Sequence, residues 1–157
     1  MATVHKNLSD FDASSVPTGK GKTFYLVVSE WNESITEALY EGAVAVLKSF
    51  EVAPHNIIRW SVPGSFELIY GAKKAQEQKP DAVIAIGSVI QGETPHFDYI
   101  CQAVAQGIKD LNVQSHPPVI FCVLTDLTLK QAQDRSGGKH GNKGSEAAIA
   151  ALKMAAL

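Results

Sequence analysis

Cysteine is scarce in this chain of 157 residues: there are two, Cys101 and Cys122. They fit neither a CxxC spacing nor the framework of a disulfide-stapled secreted domain, so they read as reduced core thiols. Excess charge is missing as well. Fourteen basic residues against sixteen acidic ones leave a formal net charge of −2, which excludes the basic footprint of a nucleic-acid binder. No apolar run approaches the roughly 20 residues of a membrane span, and the N-terminus lacks the charged-then-apolar build of a signal peptide. These absences give the expectation of a soluble cytoplasmic protein with neither nucleic acid nor membrane as partner. What is present is ordinary globular composition, 45% hydrophobic and 19% charged, at a length that suits one domain with a real core.

Residues 1–21 are polar and carry Ser14, Ser15, Pro17, Gly19 and Gly21. They read as an arm, disordered or docked on a neighbour, ahead of a single domain over residues 22–157. Beyond the arm, strand and helix signals alternate. Strands are predicted over 23–28, 57–62, 82–86 and 119–124, from β-branched and apolar runs closed by turn residues. Helices are predicted from Ser34 to Phe50, where Ile35, Leu39, Ala43, Val46 and Leu47 recur at helical spacing, and over 66–76, 96–111, 128–135 and 145–157. Residues 136–144, SGGKHGNKG, form a glycine- and lysine-rich break. Such alternation implies a four-stranded parallel sheet with helices on both faces, a doubly wound three-layer αβα sandwich. Ligands in that architecture bind beyond the carboxyl ends of the strands.

Four loops fall at such ends. The richest is GSVIQGETPHFDY over 87–99, which leaves a buried strand and opens a helix with Thr94 as N-cap, Pro95 at the first helical position and His96 in the first turn. Unpaired N–H groups and the helix dipole converge there on an anion. A histidine beside that anion can accept a proton and return it; the alternative is a surface histidine with no task. Trp31, after the first strand, stacks on a planar heterocycle or covers the sheet edge, and Asn32 or Ser34 serves as a helix cap. In Pro63-Gly64-Ser65-Phe66-Glu67, Gly64 permits close backbone approach and Glu67 offers an acceptor for hydroxyls, or else this is a plain helix start. Arg135, with Lys139, His140 and Lys143, suits phosphate by its planar fork or is a solvated loop. Together on one rim, the four loops point to a site for a polar heterocycle and a phosphate.

The residues also resemble those of a known family, the lumazine synthases of riboflavin biosynthesis. The resemblance runs from about Thr23 to the C-terminus. It rests on WN-x-x-IT (Trp31, Asn32, Ile35, Thr36), VPGSFEL over 62–68, GSVIQGETPHFDY, PVIFCVLT over 118–125 and R-x-GGKHGNKG-x-EAA over 135–148. It implies a flavodoxin-like fold and pentamers, which in many members assemble twelvefold into a hollow icosahedral shell. The short turn over 137–144 leads to the expectation of the 60-subunit form. The implied reaction joins 5-amino-6-(D-ribitylamino)uracil to 3,4-dihydroxy-2-butanone 4-phosphate, with no cofactor and no metal.

The resemblance also assigns residues. Trp31 would stack on the pyrimidine, Ser65, Phe66 and Glu67 would line the ribityl chain, and Ser88, Val89 and Ile90 would hold the uracil edge. Glu93 and Thr94 would hold the phosphate, and His96 would shuttle protons. Phe121, Arg135 and Lys143 would complete the pocket from the adjacent subunit, Arg135 pairing with the phosphate. Two positions depart from the family pattern. The stacking residue is more usually phenylalanine after arginine, where this chain has Trp31 after Glu30. Position 93 is often small; a carboxylate repels phosphate, so Glu93 is expected to offer its backbone N–H and point its side chain elsewhere. Two other readings accompany this one: an archaeal-type riboflavin synthase, which needs no phosphate site, and a non-catalytic shell or flavin-binding protein.

Overall fold

The computed structural model describes residues 7–114 and 116–157. Four parallel strands, β1 (Phe24–Ser29), β2 (Ile57–Val62), β3 (Ala82–Ile90) and β4 (Val119–Asp126), lie in the order β2-β1-β3-β4. Helices α1 (Glu33–Ser49), α2 (Leu68–Gln76) and α3 (His96–Gln114) connect them, and α4 (Leu129–Arg135) and α5 (Lys143–Met154) follow β4. Helices cover both faces of the sheet, as the alternation predicts, and the fold is flavodoxin-like. Among the described residues no helix is long and apolar enough to cross a membrane.

The two-residue period of a strand builds both cores at once. Phe24, Leu26 and Val28 of β1, with Ile84 and Ile86 of β3, face Leu39, Ala43 and Leu47 of α1 and Ala148 and Leu152 of α5. Val27, Val83 and Ala85 face the other way, onto Leu68, Ala72 and Ala75 of α2 and Val104 and Ile108 of α3. The central strands are therefore apolar on both faces over residues 24–28 and 82–86, which is why the latter carry no alternation in the sequence.

The strands and helices differ from their predicted bounds mainly around the site. β3 runs to Ile90 and β4 to Asp126, because Gly87, Ser88, Val89 and Ile90 stay paired with Val123, Leu124, Thr125 and Asp126. The prediction stopped β3 before Gly87, where strand propensity falls. The ladder continues because the missing side chain makes room: a Cβ on Gly87 would lie 2.8 Å from Ser65 Oγ and from Leu68 Cδ1. α2 begins at Leu68 rather than Phe66, with Ser65–Glu67 forming a turn ahead of it. α4 begins at Leu129, one residue into its predicted range, because Thr128 caps it in a capping box with Gln131. The 136–144 break contains a short antiparallel hairpin, β5 (Ser136–Gly138) and β6 (Gly141–Asn142), and α5 starts at Lys143, two residues early. Asn142 explains the early start: its Oδ1 accepts from Gly144 N at 2.8 Å while its Nδ2 donates to the Ala38 carbonyl of α1 at 2.8 Å.

Residues 7–21 lie on their own chain. Leu8 N donates to the His140 carbonyl at 2.8 Å and Gly19 N to the Phe50 carbonyl at 2.7 Å. Phe11 leans on Phe50 with ring centroids 6.0 Å apart, and Val16 joins the α1/α5 core.

Candidate active site

Beyond the carboxyl ends of β1, β2 and β3 lies a cleft of about 670 Å3, within the size range of small-molecule sites. Its lining comprises Trp31, Asn32, Pro63, Gly64, Ser65, Phe66, Glu67, Ser88, Val89, Ile90, Gly92, Thr94, His96, Phe97 and Ile100. Three of the four loops singled out in the sequence thus meet in one place. Trp31 forms one wall and is 72% exposed. Its turn prolongs the β1–β2 pairing past the strand ends, with Glu30 N bonded to the Val62 carbonyl at 2.8 Å and Trp31 N to the Pro63 carbonyl at 3.2 Å. Asn32 stands at the N-cap of α1, as expected of it or Ser34, yet its side chain makes no bond to the helix. It donates instead to the Ser88 carbonyl at 2.9 Å.

The second loop uses its glycine for a carboxylate. A Cβ at Gly64 would fall 2.9 Å from Glu67 Oε2, so the bare backbone lets the Glu67 side chain fold back across it. Ser65 is buried beside Gly87, and the Ser65 and Ser88 hydroxyls have no hydrogen-bond partner among the described residues. Buried hydroxyls almost always bond to something, and these two line the cleft. Ser29 Oγ at the end of β1 likewise has no partner among the described residues, though it does not line the cleft.

The third loop delivers the N-terminus of α3. Pro95 does not occupy the first helical position predicted for it; its carbonyl accepts from Asp98 N at 3.0 Å and Tyr99 N at 3.4 Å, so it stands at the cap position and His96 begins the helix. The shift of one residue moves His96 to the helix mouth, where it is exposed in the cleft. Thr94 also lines the cleft, whereas Glu93 sits on the exposed turn before it and does not. Phe97 and Ile100 add an apolar floor on one face of α3 that sequence reasoning missed. Their i, i+3 spacing at the start of a helix was the available signal.

The fourth loop stands apart. Arg135 stays near the carboxyl end of β4, with Nε 3.7 Å from Asp126 Oδ1 and its side chain 44% exposed. Burial pushes the Asp126 carboxyl above the ordinary carboxylate range, and the Arg135 charge works against that rise. Lys143 pairs with Glu146 at 3.0 Å. Phe121 is 36% exposed on edge strand β4. None of the three lines the cleft of its own chain. Phe121 and Arg135 belong to edge strand β4 and the helix after it, and the Asn142 contact holds residues 141–143 toward α1, on the sheet face opposite α2 and α3. Of the two free thiols, Cys122 is buried and burial pushes its pKa up to about 12, while Cys101 is half-buried on α3.

An aromatic wall, unbonded hydroxyls, a carboxylate and a helix mouth with a histidine can hold a planar, hydroxylated, anion-bearing ligand pair and move protons among its atoms. Known proteins match this chain along nearly its whole length. Residues 21–157 match the family described as 6,7-dimethyl-8-ribityllumazine synthase. The protein of that name from Flavobacterium johnsoniae is 64% identical over 156 residues, covering 99% of this chain and 82% of its own length. Its counterpart in Flavobacterium psychrophilum is 61% identical over 158 residues, covering 100% of this chain and 84% of itself. That of Christiangramia forsetii is 60% identical over 159 residues, covering 100% and 95%. Matched through every strand, helix and cleft-forming loop described above, the chain belongs to the 6,7-dimethyl-8-ribityllumazine synthase family.

Proposed function

We propose that this chain condenses 5-amino-6-(D-ribitylamino)uracil with 3,4-dihydroxy-2-butanone 4-phosphate to give 6,7-dimethyl-8-ribityllumazine, inorganic phosphate and two waters. The observation that carries this reading is the cleft itself, which gathers Trp31, Ser65–Glu67, Ser88–Ile90, Thr94 and His96 around one volume. The amine attacks the ketone and expels the first water as the imine forms. Loss of a carbon-bound proton then drives out phosphate, the enol tautomerises, and the second amine closes the ring with loss of the second water. Each step moves a proton at a carbon, nitrogen or oxygen atom, and His96 is the group placed to carry it. No strong nucleophile is required of the protein. Holding two reactants in register is worth about 7–11 kcal/mol, and proton transfer adds about 10²–10⁴-fold.

In this reading Trp31 stacks on the pyrimidine, Glu67 and Ser65 accept and donate along the ribityl hydroxyls beside Phe66, and Ser88, Val89 and Ile90 bind the uracil edge. Thr94 and the backbone at Glu93 hold the phosphate, with Glu93's carboxylate directed away. Phe121, Arg135 and Lys143 enter the neighbouring subunit's cleft, so the working unit is a pentamer in a cytoplasmic shell of 60 subunits. A half-exposed phenylalanine on edge strand β4, close in sequence to exposed Leu127 and Leu129, supports a neighbour on that side.

Mixing the protein with both precursors tests the activity: lumazine fluorescence appears if the reading holds. Absence of turnover revives a binding or shell role, and riboflavin formed from lumazine alone revives a riboflavin synthase. Arg135→Ala is expected to lose most use of the phosphate substrate; unchanged affinity and rate would sink its phosphate role. Sedimentation that finds only five-subunit particles removes the shell.

A further inference from the structure

Among the described residues, three bonds tie the turn that carries Trp31 to the sheet and its loops, and two of them are backbone: Glu30 N on the Val62 carbonyl and Trp31 N on the Pro63 carbonyl. Both tie the turn to β2 and its exit. The third is a side chain, Asn32 Nδ2 on the Ser88 carbonyl at 2.9 Å, and it alone ties the turn to β3. An asparagine at a helix N-cap ordinarily turns its oxygen onto a free N–H of the first turn. Asn32 makes no such bond, and its backbone sits in the left-handed region at φ 60° and ψ 46°. That conformation costs any residue but glycine, though asparagine accepts it better than most. One position thus forgoes a cap and a relaxed backbone. In return it joins the Trp31 wall of the cleft to the Ser88–Ile90 wall facing it.

We propose that Asn32 is a positioning residue that sets the gap between the Trp31 indole and the Val89–Ile90 edge, the slot into which the planar ring of the substrate slides. The inference rests on the ring-binding reading of the cleft. It also divides the work along β3: the Ser88 carbonyl serves the tether, which leaves the Ser88 hydroxyl, without a partner among the described residues, to bind the ring edge with Val89 and Ile90. Without the amide, the turn keeps its bonds to the β2 exit and to the start of α1, but the indole, already 72% exposed, loses its link to β3.

Two variants separate the tether from the backbone conformation. Asn32→Gly keeps the left-handed region and removes the amide; Asn32→Asp keeps the shape and replaces the donor with an acceptor that repels a carbonyl. Both are made in a Trp60→Phe background, since the chain has two tryptophans and Trp60 lies outside the cleft, edge-on to Tyr25. Both are expected to fold with the parent's urea midpoint, while Trp31 emission becomes more quenchable by acrylamide and less anisotropic. KM for the ribitylaminouracil should rise about tenfold with kcat within about threefold, the scale of one lost hydrogen bond and a small misplacement. KM for the butanone phosphate should not move. Parental anisotropy and KM in Asn32→Asp overturn the proposal, as does a loss that lowers the urea midpoint and affects both substrates equally. If the parent itself makes no lumazine, the ring-binding reading fails by itself, and anisotropy with quenching still decides the tether.

Discussion

The two faces of the sheet are built from the same strands but to different tolerances. On the α1/α5 face, backbone meets backbone: a Cβ on Gly144 would lie 1.8 Å from the Leu39 carbonyl oxygen, and Asn142 is wedged against Gly42 and Ala38. On the α2/α3 face the core is smaller, and the layer opens toward the strand ends into a cleft whose buried serines lack partners among the described residues. The closed face supplies stability, and the surplus lets the open face keep unbonded polar groups that a core would not tolerate. Chemistry sits where packing is left incomplete.

The sharpest way to break that contrast is Gly144→Ala. The clashing atom is backbone and cannot swing aside, so the substitution is expected to cost about 3 kcal/mol or more, read as a fall in the urea midpoint. If it is tolerated, the closed face is as plastic as the open one. His96→Ala tests the opposite side. Exposed in the cleft, His96 should be removable without moving the urea midpoint, while turnover falls about 10²–10⁴-fold and is not abolished. A drop in stability would show that the cleft, too, is structural.

Asp126→Asn gives the smallest effect and probes the boundary between the faces. Burial raises the Asp126 carboxyl, so its ionised form carries a penalty in the folded chain. That penalty is present above the raised value and disappears as pH falls through it toward the unfolded-chain value, about 3.9. The neutral variant lacks this dependence. It should match or exceed the parent by less than about 1 kcal/mol at pH 7, because the Arg135 partner is largely exposed and its loss costs little. The advantage should vanish in urea titrations at acid pH. A variant less stable than the parent at pH 7 would mean the Arg135 pairing outweighs burial.

The order of strands and helices and the cleft-forming loops were legible in the sequence because periodicity and turn residues act locally. Trp31, Glu67 and His96 fell in loops beyond the strand ends, where alternation puts them. Distant contacts were not legible. β3 continues through Gly87 only because Ser65 fills the space its side chain leaves, and nothing in residues 82–90 signals that. Asn32 reads as a cap until the fold brings Ser88 beside it. Arg135 reads as part of the same rim, and only the strand order, with β4 at the edge, sets it beside Asp126 and apart from the cleft.

That asparagine has a further consequence. One side chain bonds the first turn of α5 and the middle of α1 at the same time, with the β5/β6 hairpin directly ahead of it. Neither helix can therefore open without releasing the other, and the arm from Leu8 to Gly19, bonded to His140 and Phe50, goes with them. The first, middle and last parts of the chain are therefore expected to exchange their amide hydrogens as one cooperative unit, with α3 and the cleft mouth opening at lower cost.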